Sequence, residues 1–115
     1  MRIRFDPDLL DADDPFEIDG GKRAHLYKHL PIGHEKRVSV GVEDVLDVYH
    51  YGDPMYDPAQ EDGAADWLMI GDLPEIVLIV PLAPPRKPDP KKCRPIGIYG
   101  ANEDERRRHR EWMRR

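Results

Sequence analysis

Apolar and polar positions change their period along the chain, and each change predicts a different element. Residues 1–5, MRIRF, alternate apolar side chains with arginine, which predicts a half-buried strand. Residues 6–19 contain seven acids and two prolines and are typical of a solvated loop. Over residues 20–30 the spacing becomes helical, with two leucines and a tyrosine on one side. Residues 42–49, VEDVLDVY, repeat apolar side chains at i, i+3, i+4 and i+7, which predicts a short amphipathic helix.

The second half of the chain predicts an antiparallel sheet. Residues 65–72 and 75–83 indicate two strands joined by the turn GDLP, and the second strand is apolar on both faces, as a central strand is. A turn-rich connection, YGDPMYDPAQEDG, precedes them. Residues 84–92 hold four prolines and predict an extended connection, because proline lacks the amide donor of a sheet or helix interior. Residues 93–99, CRPIGIY, predict a further short strand.

A capping signal predicts the last helix. Asn102 is a good N-cap and Glu105 stands at the third helical position, so the two form a capping box that starts a helix running to Arg115. Acids occupy its first turn and arginines the later turns, with pairs at i,i+4, as the helix dipole favours. We expect this helix to dock through Trp112 and Met113.

These elements predict an α+β fold in one domain over residues 1–115. The expected architecture is a small antiparallel sheet of about four strands, with two helices before it and one after it. Residues 1–15 form an acidic N-terminal extension in this interpretation.

Charge and composition limit the partners. Acidic residues outnumber basic ones, 23 to 18, so a protein that coats nucleic acid through general positive charge is excluded, and any nucleic-acid contact must be local. The N-terminus lacks the apolar core of a signal peptide, and the longest apolar run is too short to span a bilayer. We therefore expect a soluble, cytoplasmic protein without membrane association.

Residues 16–37 concentrate local chemistry, with three of the five histidines and five lysines or arginines. His25 and His29 stand four apart, the spacing with which two imidazoles on a helix reach one metal ion. A third ligand stays open among His34, His50, Cys93 and the carboxylates. The polar flank of an amphipathic helix explains the same spacing, so we expect no bound metal. We expect Cys93 to be a buried thiol and not a nucleophile.

The order of these segments resembles the BrnT family, the toxins of bacterial type II toxin/antitoxin modules. The resemblance covers about residues 16–112. VSVGVEDVLDVY is similar to the family's second helix, and the turn Gly-Asp-Pro at 52–54 matches a family turn. The remaining matches are Phe16, Asp19, Lys22, Leu26, Lys28, His29, Arg94, Ile96, Ala101, Glu105 and Arg106.

The resemblance implies a RelE-like fold and a metal-independent endoribonuclease that needs no cofactor. Its partners would be an RNA substrate and a cognate antitoxin protein. The implied catalytic residues are His29, Arg94 and Tyr99, and the implied RNA-binding residues are Lys22, Lys28 and Arg106. In such an enzyme, positioned cations hold the scissile phosphate while a histidine, tyrosine or acid moves protons. We expect these six side chains to converge on one concave surface.

The chain departs from the family at two positions that bear on activity. Asp66 and Tyr99 stand where the family usually has arginines. Residues 30–37 and 84–92 resemble insertions. These departures leave enzymatic activity open, and they favour a second hypothesis, a catalytically silent relative that binds a host or antitoxin-like protein through an exposed sheet edge.

Overall fold

The computed structural model describes residues 3–18, 20–32 and 36–115, and the side chain of Lys22 lies outside this described part. A short 3-10 helix occupies Pro7–Leu9. The helices are α1 (Gly20–Leu26), α2 (Val42–Tyr51) and α3 (Glu103–Met113). The strands are β1 (Lys28–Pro31), β2 (Arg37–Val40), β3 (Met55–Pro58), β4 (Trp67–Asp72), β5 (Val77–Ala83), β6 (Arg94–Pro95) and β7 (Tyr99–Gly100).

Two antiparallel sheets organise the part of the chain that the structure describes. Five strands form one sheet in the order β3-β4-β5-β6, and β7 also pairs with β5, while β1 and β2 form a separate hairpin. The prediction of an α+β fold with a β4–β5 hairpin and a central β5 is confirmed. The main sheet has five strands, one more than expected.

Helix α2 packs on the main sheet at very short range. Val42, Val45 and Val48 are buried in the core against the sheet. A Cβ atom added at Gly71 on β4 would lie 2.7 Å from the Val48 Cγ1 atom. Glycine at position 71 therefore allows the helix and the strand to approach each other closely.

The predicted helix over residues 20–30 is wrong in its second half. Helix α1 ends at Leu26, and the following residues form β1, in which Leu30 lies opposite Val38 of β2. A helix would have to end before Pro31, because a residue that precedes proline disfavours helical backbone angles. Strand β2 contains two β-branched valines. Pairing with β2 buries Leu30 and gives the backbone groups of β1 hydrogen-bond partners. Tertiary pairing therefore prevails over local helical spacing.

Three further expectations about strands need correction. Residues 3–5 form no strand, although Phe5 donates its amide to Asp66 Oδ2 at 3.1 Å. The turn-rich segment contains β3, which its Asp-Pro composition concealed. The strand expected over 93–99 is divided into β6 and β7. Pro81 of β5 accepts a hydrogen bond from the Ile96 amide at 3.0 Å but has no amide to return one, so the ladder breaks at this point.

The capping box of α3 is confirmed. The Asn102 side chain accepts a hydrogen bond from the Glu105 amide at 2.8 Å, and the Glu105 carboxylate accepts one from the Asn102 amide at 2.9 Å. The charged pairs follow i,i+3 spacing and not the expected i,i+4 spacing: Arg106 with Glu103, and Arg107 with Asp104.

The docking of α3 differs from the prediction. Met113 is 40% exposed, and Trp112 is only partly buried. The fully buried side chain of this helix is His109, whose ring stacks on Trp112 with centroids 5.9 Å apart. A polar residue at the apolar-facing position explains why hydrophobic periodicity missed this anchor. No helix of the described chain has the length and apolar character needed to cross a bilayer.

Candidate functional site

A groove of about 750 Å³ lies between the β1 hairpin, the β4–β5 turn and the start of α3. Three of the predicted site residues line it: Lys28, Tyr99 and Arg106. Two acids, Asp72 and Glu75, line the same groove. The remaining wall is mainly apolar and consists of Leu30, Pro31, Ile32, Leu73, Pro74, Ile76, Val77 and Ile98, with Gly100 and Ala101.

Lys28 and Tyr99 meet across the gap between the two sheets. Lys28 lies two residues before the buried Leu30, so both side chains project from the same face of β1. The Lys28 Nζ atom lies 4.2 Å from the centroid of the Tyr99 ring, within cation–π range. Tyr99 is 51% exposed. The pair therefore presents a positive charge beside an accessible aromatic ring.

The Tyr99 ring occupies the space beside Gly97 that a side chain at position 97 would fill. A Cβ atom at position 97 would lie 2.9 Å from the Tyr99 Cε2 atom and 3.1 Å from its hydroxyl. Replacing Gly97 with alanine is expected to displace the ring and break its contact with Lys28, because ordinary packing does not allow such distances. Aromatic NMR shifts and the Lys28 ε-methylene shift should both change. Gly63→Ala is the control and should leave them unaltered, because a Cβ atom at position 63 would make only an ordinary contact with the Gln60 carbonyl oxygen at 3.6 Å.

Arg106 brings a guanidinium from the first turns of α3. One of its terminal nitrogens bonds the Glu103 carboxylate, and this hydrogen bond lowers the pKa of Glu103. A guanidinium has five donors, so the bond to Glu103 leaves others for a ligand. Arg106 is thus held in position by its own helix while it borders the groove.

The other predicted site residues do not line the groove. His29 follows Lys28 on β1 and therefore points to the opposite face, where its Nδ1 atom lies 2.9 Å from Ser39 Oγ. Arg94 lies opposite Ala83 and Tyr99 opposite Ile79, so four residues of β5, or about 13 Å, separate them along the strand. Lys22 belongs to α1, and its side chain lies outside the described residues.

Sequence reasoning missed the two acids of the groove. Asp72 ends β4 and Glu75 lies in the β4–β5 turn, and only the packing of this turn beside the β1 hairpin makes them part of the groove. With Lys28 and Arg106 they form a balanced set of two cations and two carboxylates. The groove can therefore position a phosphate and accept a proton, but it does not attract RNA through net charge.

Asp66, where the resemblance to the BrnT family led us to expect an arginine, lies outside the groove as well. It is fully buried, and its carboxylate anchors the N-terminal segment through the Phe5 amide. The neighbouring Trp67 donates its indole N–H to the Phe5 carbonyl at 2.6 Å. Position 66 therefore has a structural role here.

The structure places Cys93, His25 and His29, the residues considered for cysteine and metal chemistry. Cys93 is fully buried, and burial raises the pKa of its thiol to about 12, so the thiol is protonated at neutral pH. His25 lies at the end of α1 and His29 on β1, so the two histidines are not four residues apart on one helix as their spacing suggested. Within residues 3–18, 20–32 and 36–115, no three histidine, cysteine or acidic side chains are placed to hold a metal ion.

The groove thus has the parts of a small phosphate-binding surface: two positioned cations, an exposed aromatic ring and two carboxylates. Comparisons of the chain with protein-family models, with curated proteins and with solved structures found no match.

Proposed function

We propose that this protein is a BrnT-like, RelE-like toxin that binds single-stranded RNA in the groove and cleaves it without a metal ion. The observation that carries the proposal is that Lys28, Tyr99 and Arg106, from three separate elements, line one groove. The proposed location is the cytoplasm, and the proposed inhibitor is a cognate antitoxin protein.

Each of the three side chains contacts a different part of the RNA. Lys28 and Arg106 contact phosphate oxygens, and the exposed Tyr99 ring stacks against a base, an interaction worth about 1–3 kcal/mol per base. Because the groove is electrically balanced, affinity rests on these placed contacts and not on a positive field.

Cleavage would use the acids that share the groove. Glu75 or Asp72 accepts the proton of a ribose 2′-hydroxyl as its oxygen attacks phosphorus. The P–O5′ bond breaks, the Tyr99 hydroxyl supplies the proton to the leaving oxygen, and the products are a 2′,3′-cyclic phosphate and a 5′-hydroxyl. Lys28 and Arg106 stabilise the negative charge that develops on the phosphate oxygens.

The salt dependence of binding tests this proposal. With two phosphate contacts, the logarithm of the affinity for single-stranded RNA should fall with the logarithm of salt concentration with a slope of about −1.4. Lys28→Ala should reduce the slope to about −0.7, while Lys91→Ala, an exposed lysine that does not line the groove, should leave it unchanged. Fluorescence anisotropy with a labelled oligonucleotide measures both.

Cleavage is followed in parallel with EDTA present. Lys28→Ala should lower the cleavage rate by about a hundredfold, as loss of one charge-stabilising donor commonly does. Equal salt slopes for wild type and Lys28→Ala would reject the groove as the RNA site. Intact RNA despite normal binding would reject only the cleavage step.

A second candidate function is a catalytically silent protein that binds an antitoxin-like or host partner. The separation of His29 and Arg94 from the groove favours it, because the family residues implied in catalysis then do not act together. The largely apolar lining would suit a partner side chain. Growth inhibition that persists with intact RNA, and that Leu73→Asp or Ile76→Asp in the apolar wall relieves, would establish this function.

A further inference from the structure

A second cavity, of about 300 Å³, lies between β6 and the proline-rich connection 84–92. Three cationic residues line it, Arg86, Lys87 and Arg94, against one acid, Glu17. Positive charge therefore exceeds negative charge at this place by two, on a chain whose formal net charge is −5. Such a local excess indicates a site for an anion.

Glu17 already occupies the cavity as an anion would. Its Oε1 atom accepts a hydrogen bond from the Arg86 amide at 2.9 Å, and its Oε2 atom accepts one from the Lys87 amide at 3.3 Å. Two successive backbone amides thus hold both oxygens of one carboxylate, which is the arrangement of an anion-binding nest. The hydrogen bond from the Arg86 amide, with lesser contributions from Lys87 and the charge of Arg94, lowers the pKa of Glu17.

The backbone fixes both the acid and the arginine at this cavity. Phe16 bridges to Cys93, and on either side the Cys93 amide donates to the Pro15 carbonyl at 2.9 Å while the Glu17 amide donates to the Cys93 carbonyl at 2.8 Å. Glu17 is therefore placed by strand-like pairing. Arg94 donates its Nε–H to the Pro84 carbonyl at 2.8 Å, which positions its guanidinium beside the nest.

We propose that this cavity is a phosphate-binding site, which the chain closes with its own Glu17 carboxylate. A phosphate group has the same paired oxygens and a larger charge, so it can replace the carboxylate on the Arg86 and Lys87 amides and pair with Arg94. Glu17 then competes with the ligand and keeps the affinity of the native protein low. This site is separate from the groove and does not depend on the function proposed for it.

Titration of inorganic phosphate into the full ¹⁵N-labelled chain tests the site, with the Arg86 and Lys87 amide signals as readout. Glu17→Gln should bind phosphate at least about tenfold more tightly than wild type, because the competing charge is removed. Adding Arg94→Ala to Glu17→Gln should reverse the gain. Glu111→Gln, the same charge change on the exposed face of α3, is the control and should behave as wild type.

Equal phosphate affinity of Glu17→Gln and Glu111→Gln would overturn the proposal. Melting temperatures show whether each variant folds, and Glu17→Asp, which keeps the charge but shortens the side chain, gives a smaller expected gain should Glu17→Gln fail to fold. A second titration with single-stranded RNA identifies the source of the phosphate. Shifts of the same two amides would assign it to an RNA backbone, and their absence would assign it to free phosphate or a phosphate monoester.

Discussion

Replacing Asp66 with arginine, the residue that the proposed BrnT-like relationship would place there, is expected to destabilise the protein by about 4 kcal/mol or more. Asp66 is 0% exposed, and its backbone is also fixed, with its amide bonded to the Leu82 carbonyl at 2.8 Å. Arginine at this position would bury a long cation and lose the hydrogen bond from the Phe5 amide. Urea denaturation measures the free energy of unfolding.

Tyr99→Arg is the matched substitution at the other position where the proposed BrnT-like relationship would place an arginine. Because Tyr99 is half exposed, this change should alter stability by about 1 kcal/mol or less, and the added cation should steepen the salt slope of RNA binding by about 0.7. A stable Asp66→Arg variant with increased RNA binding would contradict the structural role assigned to position 66.

Replacing His109 with alanine is expected to cost about 3 kcal/mol of stability. The ring is fully buried, and its Nε2 atom donates to the Asp53 carbonyl at 2.9 Å. Asp53 has a φ of 48°, a conformation that non-glycine residues adopt at some energetic cost, so this bond holds a strained turn. Alanine would leave a cavity beside Trp112 and a carbonyl without its donor.

The hydrogen-bond partner of His109 determines which ring nitrogen carries the proton. A carbonyl only accepts, so Nε2 carries the proton, and Nδ1, which has no hydrogen-bond partner among the described residues, lies 3.8 Å from the Asp72 carboxylate. Met113→Ala on the same helix is the control for His109→Ala. It should cost less than about 1 kcal/mol, because Met113 is 40% exposed and belongs to no buried cluster of the described residues. Thermal denaturation that shows equal losses for both variants would mean that Met113 anchors α3 as the sequence suggested.

The elements that the sequence predicted correctly are those whose signals are local. Helix α2 follows from its apolar spacing, and α3 begins where Asn102 and Glu105 cap it, because both signals act within a few residues of chain. Strands β4 and β5 are long apolar runs joined by a short turn, and their antiparallel pairing follows from that turn. The apolar Trp112 was recognised from the sequence as a contact of α3. His109 was not recognised, because a polar residue gives no signal in the apolar spacing.

Strands β1 and β2 and the candidate site depended on tertiary structure. Leu26 and Leu30 fit one face of a helix, but the strand β2 offered Leu30 a partner in Val38, and hydrogen bonding with burial outweighed helical spacing. Lys28 lies in the groove and His29 points away from it because both residues belong to strand β1, in which successive side chains project from opposite faces.

The sequence by itself therefore determined the chemistry available to this protein: 18 lysines and arginines against 23 acids, the α+β elements, and apolar runs too short to span a membrane. The tertiary structure decided which of those groups meet. It brought Lys28, Tyr99 and Arg106 to one groove with Asp72 and Glu75, and it placed Arg94 beside Glu17 at the other end of β5. The physical reason is that periodicity and caps act over one or two turns of chain, whereas strand pairing and burial are settled between segments tens of residues apart.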